Sequence, residues 1–287
     1  MTTETVGPDG ALPGALHRIG EGRTAEILAW NPGQVLRLYR PGSARAWVLR
    51  EMNVTHAVHA MGLPCPAVYP ADTGDGLIEL EDRVGFVMER VDGPTMMEDL
   101  AARPWRVRRH AQSFARLHVE IHSTLARDLP SQRARFHRIL DGLTDDLGPA
   151  MVNHIRDAMP DPDGSERVCH GDFHPDNILL SPRGPIVIDW GPASGGLPAA
   201  DIAWTLFLFR HGAAPVDASP RTRILIALFR AAFSRTYRRA YCRAAGLDWE
   251  TVTHWSPVIA AIRLGDRIPE ERAPILEILR AAYGTSS

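Results

Sequence analysis

The sequence predicts an α+β fold, in which a small antiparallel sheet with one helix comes first and a larger, mainly helical part follows. Between residues 19 and 90, short apolar runs alternate with turns rich in Gly, Pro, Asn and Asp. From residue 104 onward, apolar residues recur at helical spacing in long segments. The chain has 287 residues, which is enough for two lobes with ample core.

The individual elements follow from these patterns. Strand-like runs cover 19–30 (with a glycine turn inside), 34–40, 67–70, 77–81 and 85–88. One helical pattern interrupts them at 43–61, with Ser43 as its expected cap and Gly62 at its end. Helical patterns then cover 104–126, parts of 131–159, 202–209, 221–245, 249–264 and 270–282.

Composition excludes several classes of protein. Hydrophobic residues make up 45% and charged residues 23%, and the net charge of −2 gives no global field that points to nucleic acid or membrane. No run of about 18 apolar residues is present, so no transmembrane helix is expected. The start of the chain lacks the pattern of a signal peptide, and residues 1–14 are expected to be a flexible tail. Three widely spaced cysteines fit a reducing cytoplasm.

Two short motifs carry the strongest chemical signal. Residues 170–177 read H-G-D-x-x-x-x-N, and residues 189–191 read D-W-G. Protein kinases use H-R-D-x-x-x-x-N and D-F-G for phosphoryl transfer. Between the two motifs, apolar runs flank a turn at 181–184, which predicts a hairpin that brings Asn177 and Asp189 together at one end.

The residue types suit the transfer of a phosphoryl group to a hydroxyl. A hydroxyl is a weak nucleophile, so a carboxylate must orient it and take its proton, and Asp172 is the candidate base. A nucleoside triphosphate needs Mg²⁺ to bridge its phosphates, and Mg²⁺ prefers hard oxygen ligands. Asn177 and Asp189 would supply those oxygens. The expected cofactors are therefore Mg²⁺ and ATP, with GTP as an alternative donor.

Together, residues 170–177 and 188–191 and the extension at 195–203 resemble the aminoglycoside phosphotransferase/choline kinase family. The resemblance extends from about residue 15 to the C-terminal helices. It implies a bilobal protein-kinase-like fold that phosphorylates a hydroxyl of a small molecule. It also implies an N-terminal nucleotide-binding lobe at 15–90 and a helical lobe at 91–287, with the catalytic loop and the acceptor pocket.

The resemblance assigns further residues to the nucleotide. Gly20 and Gly22 would form a loop over the phosphates, although an ordinary hairpin turn explains a G-x-G pattern equally well. The segment 88–94 would be the hinge between the lobes, where backbone groups of Glu89 and Val91 bind adenine.

Supporting roles follow for residues near the catalytic stretch. The resemblance implies that Asp201 braces the catalytic loop, with His170 and His174 as further supports. A zinc site from Cys169, His170 and His174 is possible on ligand type, but no closed ligand set is visible. His118 and His122 have the i, i+4 spacing of metal ligands, and we interpret both as structural residues of a scaffold helix.

The chain contains no lysine; all 32 basic residues are arginine. Kinases place a phosphate-binding lysine on the third strand, paired with a glutamate on the next helix. By position, Arg37 replaces it, with Arg40 as second choice and Glu51 as the partner. Arginine is bulkier than lysine and is not equivalent to it, although it can still bind phosphate.

The acceptor is less well defined. The resemblance implies an acceptor wall near residues 131–159, where Asp141, Asp145 and Asp146 would suit a cationic antibiotic of the aminoglycoside or cyclic peptide type. Asp141 and Asp145 are expected to share one helix face, and a solvated helix face explains these carboxylates slightly better than an acceptor wall does. The alternatives are a metabolite alcohol such as choline, caged by Trp204, Trp249 and Trp255, and a non-catalytic nucleotide-binding module. The expected partners are a small molecule and a nucleotide, with neither nucleic acid nor membrane, and the oligomeric state is undetermined.

Overall fold

The N-terminal part is a six-stranded antiparallel sheet with one helix. The computed structural model describes residues 16–22, 24–72, 74–161, 164–211 and 219–284, so the expected tail at 1–14 lies outside the described residues. The elements are β1 (Arg18–Glu21), β2 (Ala25–Ala29), β3 (Gln34–Tyr39), α1 (Arg45–Ala60), β4 (Val68–Tyr69), β5 (Ile78–Leu80) and β6 (Arg83–Glu89). The strand order is β1-β2-β3-β6-β4, and β5 also pairs with β6.

Side-chain alternation on β3 decides where Arg37 points. Successive side chains of a strand face opposite sides of the sheet. Val35 and Tyr39 lie in a buried cluster with residues of α1, whereas Leu36 and Leu38 lie in a second cluster. Arg37 therefore shares the α1 side of the sheet.

Helices dominate the rest of the chain. The next elements are α2 (Met96–Ala102), α3 (Val107–Ser123), α4 (Gln132–Asp141), α5 (Thr144–Leu147), α6 (Pro149–Asp157), β7 (Arg167–Cys169), β8 (Ile178–Ser181), β9 (Gly184–Val187) and β10 (Ser194–Gly196). They are followed by α7 (Pro198–His211), α8 (Pro220–Ala245), α9 (Trp249–His254), α10 (Ser256–Leu264) and α11 (Pro269–Tyr283). Short 3-10 turns precede α3 (Pro104–Arg106) and β8 (Pro175–Asn177).

The chain forms two compact units, one of residues 1–96 and 176–192 and the other of residues 97–175 and 193–287. The β8–β9 hairpin belongs to the first unit because Leu180 N–H donates to Pro94 O (2.8 Å) and Val187 N–H to Pro64 O (2.7 Å). Gly93 allows this approach: a Cβ there would lie 2.4 Å from Leu180 O. The division expected at residue 90 assigned residues 176–192 to the second lobe, whereas they belong to the first compact unit.

The α+β fold class predicted from the sequence is confirmed, with three local differences. Asp141 and Asp145 do not share a helix face, because α4 ends at Asp141 with Gly142 as its cap and α5 starts at Thr144. Ser43 does not cap α1, whose N-cap is Ala44. The helical run expected over 249–264 is two helices. None of the helices among the described residues combines the length and hydrophobicity that a bilayer-spanning segment needs.

Candidate active site

A single buried carboxylate holds the loop of residues 170–174 in the second unit. Asp201, in the first turn of α7, is 1% exposed. Its Oδ2 accepts a hydrogen bond from His170 N–H (2.7 Å), and its Oδ1 accepts one from Gly171 N–H (2.8 Å). The loop is also fixed at Phe173, whose carbonyl accepts a hydrogen bond from the Thr205 hydroxyl (3.0 Å).

Two histidines of α3 complete the coordination of Asp201. His118 Nε2 and His122 Nε2 lie 3.2 and 3.1 Å from Asp201 Oδ2. Burial raises the pKa of Asp201, but hydrogen bonds from the two imidazoles outweigh it and hold the pKa well below its usual range. Burial also lowers the pKa of His118 from 6.5 to about 3, so this ring is neutral at physiological pH.

The proton positions at Asp201 follow from its hydrogen bonds. A carboxylate can only accept, so each Nε2 must donate its proton to Asp201, and in the neutral ring of His118 this leaves Nδ1 as an acceptor. Tyrosine hydroxyls of α8 lie 2.8 Å from both Nδ1 atoms: Tyr237 donates to His118, and Tyr241 pairs with His122. These tyrosines were not predicted from the sequence; only their four-residue spacing, which matches that of the histidines, could have indicated them.

The same three side chains are the group of possible metal ligands found among the described residues. Asp201 is thus a possible third ligand beside His118 and His122, which the sequence did not reveal. The proton positions argue against a metal, because each Nε2 already donates to Asp201. The zinc site considered at Cys169, His170 and His174 is not supported, because within the described residues these three side chains do not form a group of closely spaced ligand atoms.

Asp172 and His174 have partly exposed side chains in this loop, at 33% and 29%. His174 Nε2 lies 3.4 Å from Asp172 Oδ2, and Asp172 N–H donates to His170 Nδ1 (3.2 Å). Burial raises the pKa of Asp172, but the hydrogen bond and charge of His174, together with His170 and Trp204, outweigh it, so the pKa is lowered. The carboxylate is therefore charged and able to accept a proton at neutral pH.

A small cavity lies beside this loop, within the second unit. Its walls include Gly171 and Asp201 and the side chains of Gln132, Arg135, Phe136 and Trp204. The guanidinium of Arg263 lies 5.9 Å from the ring centre of Trp204, and Arg263 is in turn paired with Glu271 through two hydrogen bonds (2.6 and 2.9 Å). An aromatic ring and an arginine thus flank the loop.

The first unit contains a triad of charged side chains. Arg37 Nη2 lies 3.0 Å from Glu51 Oε1 and 2.9 Å from Asp189 Oδ1. Burial lowers the pKa of Arg37, but the two carboxylates outweigh it and raise the pKa above its usual value. Burial raises the pKa of Glu51, and Arg37 opposes that rise. The arginine at the position of the family lysine is thus charged and paired with the expected glutamate.

The β8–β9 hairpin sets Asn177 and Asp189 at its open end. Ile178 pairs with Val187, and Ile188 N–H donates to Asn177 O (2.9 Å). Asp189 has a φ of +64°, a conformation that few residues other than glycine adopt and that often marks a functional site. Its side chain is 39% exposed. A carboxylate and an amide oxygen at one hairpin end are a donor set that fits Mg²⁺.

Gly191 is required by the same triad. A Cβ at this position would lie 2.7 Å from Glu51 Oε2. The glycine of the D-W-G motif therefore leaves room for the buried glutamate, a contact that the sequence did not reveal.

The glycine loop is a tight turn after β1. Gly22 N–H donates to Ala25 O (2.8 Å), and Arg40 Nη2 contacts both Gly22 O (3.3 Å) and Glu21 Oε1 (2.6 Å). A Cβ at Gly20 or Gly22 would make only ordinary contacts at 3.6 Å. The backbone geometry itself does not demand glycine at either position.

The segment after β6 offers two different backbone positions. Glu89 N–H already donates to Ala67 O (2.8 Å), and the Glu89 carboxylate pairs with Arg183. Within the described residues, no hydrogen bond is found for the backbone of Val91. The Val91 backbone is therefore the position in this segment that is suited to a ligand.

The acidic residues expected at the acceptor wall are mostly neutralised. Asp141 pairs with Arg156, and Asp146 pairs with Arg272 (3.0 Å). Asp145 is exposed in α5. None of the three lines the cavity beside Gly171.

The three tryptophans considered as an ammonium cage have other neighbours. Arg263 lies over Trp204, and Arg238 lies over Trp249 with 4.6 Å to the ring centre. Trp255 is buried and packs near Phe136 (6.4 Å between rings). These contacts give no support to a shared cage.

Comparisons with known proteins add a family and a fold. The sequence model of the phosphotransferase enzyme family matches residues 17–255. A thermostable mutant of aminoglycoside phosphotransferase APH(4)-Ia, in ternary complex with AMP-PNP and hygromycin B, has a TM-score of 0.63 and 18% identity, covering 96% of this chain and 97% of that chain. An aminoglycoside-3'-phosphotransferase of type VIII has a TM-score of 0.59 and 20% identity, covering 87% and 94%.

A third similar structure is the amicoumacin kinase hAmiN in complex with AMP-PNP, Ca²⁺ and amicoumacin, with a TM-score of 0.56 and 14% identity, covering 92% of this chain and 86% of that chain. No curated protein sequence matches the chain. These likenesses confirm the kinase-like fold that the sequence analysis expected.

Proposed function

Because the chain belongs to the phosphotransferase enzyme family, and is thus a small-molecule kinase, we propose that it transfers the γ-phosphoryl group of ATP to a hydroxyl of its acceptor. The observation that carries this proposal is the carboxylate of Asp172, charged and partly exposed on a loop whose backbone is fixed by Asp201. A module that only binds nucleotide has no need of such a base.

Asp172 acts as the general base. Its carboxylate orients the acceptor hydroxyl and takes the hydroxyl proton as the new O–P bond forms to the γ-phosphorus. The bond from that phosphorus to the β,γ-bridging oxygen breaks, and the nucleoside diphosphate leaves. His174, 3.4 Å from Asp172, keeps the base ionised.

Asn177 and Asp189 are the residues that hold Mg²⁺ in this proposal. When bound, the ion neutralises the phosphate charge that develops during transfer. Arg37 and Glu51 position Asp189: one nitrogen of Arg37 contacts both carboxylates, and Arg37 is only 11% exposed. This contact favours orientation of the metal ligand as the main role of Arg37, with phosphate binding second.

The nucleotide is bound by backbone groups. The Glu89 carbonyl and the Val91 N–H are suited to the edge of adenine, and the turn at Gly20 and Gly22 would cover the phosphates. GTP is the alternative donor. A reducing cytoplasm remains the expected compartment.

We propose an antibiotic as the acceptor, which would make the chain a resistance enzyme. Similar structures bind hygromycin B and amicoumacin. The ion pairs of Asp141 and Asp146 weaken the argument for a polycationic acceptor. A metabolite alcohol such as choline is the second candidate, although the arginines over Trp204 and Trp249 do not favour an ammonium cage.

The test is the release of nucleoside diphosphate from Mg-ATP and Mg-GTP in the presence of single acceptors. The panel contains aminoglycosides, amicoumacin, cyclic peptide antibiotics, choline and sugar alcohols. Asp172→Asn serves as the blank, and Asp157→Asn, an exposed carboxylate in α6, is the matched control.

Acceptor-dependent release that is lost only in Asp172→Asn supports the proposal and identifies the acceptor class. Release that survives in Asp172→Asn contradicts the mechanism. Nucleotide binding without release across the panel shifts support to a binding module.

A further inference from the structure

The four most exposed large hydrophobic side chains among the described residues belong to two elements of the second unit. Trp105 is 75% exposed, Leu225 66%, Leu228 63% and Ile224 60%. Trp105 lies in the 3-10 turn before α3, and the other three lie in the first turns of α8. A single exposed leucine is ordinary, but a cluster of such residues often marks an interaction site.

The packing of α3 on α8 brings these residues to one end of the helix pair. Helices α3 and α8 run in the same direction, because the residues that contact each other along the pair are always 119 positions apart in the sequence. The contacting pairs are Phe114 with Phe233, His118 with Tyr237, and His122 with Tyr241. By the same offset, residue 105 lies at the level of residue 224 along the helix pair. Trp105 and the aliphatic residues of α8 therefore lie at the common N-terminal end.

Among the described residues, the exposed charges of α8 and of the first turn of α3 are all basic. Helix α8 contains seven arginines and no acidic residue, although the whole chain has a net charge of −2. Arg221 and Arg223 are exposed beside Ile224, and Arg108 and Arg109 are exposed in the first turn of α3. The buried carboxylate of Asp99 pairs with Arg103, Arg106 and His110, so it does not offset these charges.

We propose that this end face, formed by Trp105, Arg108, Arg109, Arg221, Ile224, Leu225 and Leu228, binds the surface of an anionic lipid bilayer. Tryptophan and aliphatic side chains enter the headgroup region, and arginines bind lipid phosphates around them. The proposal goes beyond phosphoryl transfer and does not depend on it.

Other occupants fit less well. A second copy in a twofold contact would set arginines against arginines. Single-stranded nucleic acid is bound by rows of aromatic rings, and this face has one ring among three aliphatic side chains. An acidic protein would satisfy the arginines, but the most exposed tryptophan and leucines together favour a lipid interface.

Vesicle co-sedimentation of the full chain tests the proposal. Vesicles of phosphatidylcholine alone are compared with vesicles that also contain phosphatidylglycerol, at low and high salt. One variant combines Trp105→Ser, Leu225→Ser and Leu228→Ser, and a second combines Arg108→Gln, Arg109→Gln and Arg221→Gln. The matched control combines Leu125→Ser, Arg127→Gln and Arg243→Gln, which lie beyond or in the last turns of the same helices.

We expect binding only to the anionic vesicles, weakened by salt. Since each arginine near such a surface contributes a factor of about five, the triple arginine variant should bind about a hundredfold more weakly. The apolar variant should also lose binding, whereas the control should bind like the wild type. Thermal unfolding of each variant verifies that it is folded.

Three results would overturn the proposal. The first is no sedimentation with anionic vesicles at low salt, and the second is an equal loss in the control variant. The third is a protein that does not bind the vesicles but binds polyglutamate, or that forms a dimer which the apolar variant dissociates. Binding to polyglutamate would assign the face to an acidic protein, and such a dimer would assign it to a second copy.

Discussion

The two units hold the carboxylates of the candidate site by different physical means. In the first, Asp189 belongs to a triad of charged side chains, in which Arg37 contacts Asp189 and the buried Glu51. In the second, Asp201 is surrounded by hydrogen-bond donors, two from backbone and two from the imidazole rings of His118 and His122.

The difference matters for what each unit can do. The triad leaves Asp189 39% exposed at a hairpin end, where it can bind a ligand. Asp201 is 1% exposed and has no such freedom, so it can only position the loop that presents Asp172. The first arrangement suits a residue that must exchange partners, and the second suits a residue that must not move.

The largest effect is expected from Asp201→Asn. An amide offers one acceptor oxygen and an NH₂ group that would face donors, so backbone and imidazole N–H groups lose their partner. We expect a loss of about 3–5 kcal/mol in the free energy of unfolding and about a hundredfold in turnover as the loop shifts. Chemical denaturation and steady-state kinetics measure both. Turnover at the wild-type rate would show that the loop does not need this brace.

Arg37→Met should be the next most damaging change, because it leaves the buried Glu51 without its cation. The expected loss is about 3 kcal/mol near pH 8. Burial already raises the pKa of Glu51, and removing Arg37 raises it further. A carboxyl whose folded pKa is raised contributes stability below its unfolded pKa that is lost as pH rises, so the variant should lose less at pH 5 than at pH 8.

Arg40→Met, a change of an exposed arginine near the same strand, is the control for Arg37→Met and should have little effect on unfolding. A pH-independent loss in Arg37→Met would contradict the role of Glu51.

Gly191→Ala tests the packing of the triad with a smaller change. The added Cβ would lie 2.7 Å from Glu51 Oε2 and would push that carboxylate away from Arg37. We expect a loss of about 1–3 kcal/mol in the free energy of unfolding. Gly20→Ala, where the nearest side-chain atom is 3.6 Å from the new Cβ, should unfold like the wild type. Equal stability of the two variants would argue against the tight contact.

His174→Ala should have the smallest effect, on pH dependence alone. The hydrogen bond and charge of His174 lower the pKa of Asp172, so the base stays ionised as pH falls. Without His174 that pKa rises, and the acidic limb of kcat/KM should move to higher pH. An unchanged acidic limb in the pH–rate profile would show that His174 does not lower the pKa of Asp172.

Local patterns predicted much of the geometry of the candidate site. The spacing of residues 170–177 and 189–191 identified the candidate loop and the hairpin, and strand position identified Arg37 and its partner Glu51. These features depend on short stretches or on neighbouring elements.

The rest depends on contacts across long separations. Tyr237 and Tyr241 lie 119 positions from the histidines that they bind, and no local pattern encodes that pairing. The prediction that Asp141 and Asp145 share a helix face was wrong for a local reason, since α4 ends at Asp141 and Gly142 caps it. The net charge of −2 is an average over the whole chain, so it gave no indication that α8 contains seven arginines and no acidic residue.

The central claim is a division of labour, in which Asp172 performs proton transfer and Asp189 binds the metal–nucleotide. The most direct measurement compares Asp172→Asn and Asp189→Ala for Mg-ATP affinity by titration calorimetry and for acceptor-dependent turnover. Asp172→Asn should bind Mg-ATP like the wild type and turn over about a thousandfold more slowly, whereas Asp189→Ala should lose Mg²⁺-dependent binding. Wild-type turnover in Asp172→Asn, or undiminished Mg-ATP affinity in Asp189→Ala, would contradict the account.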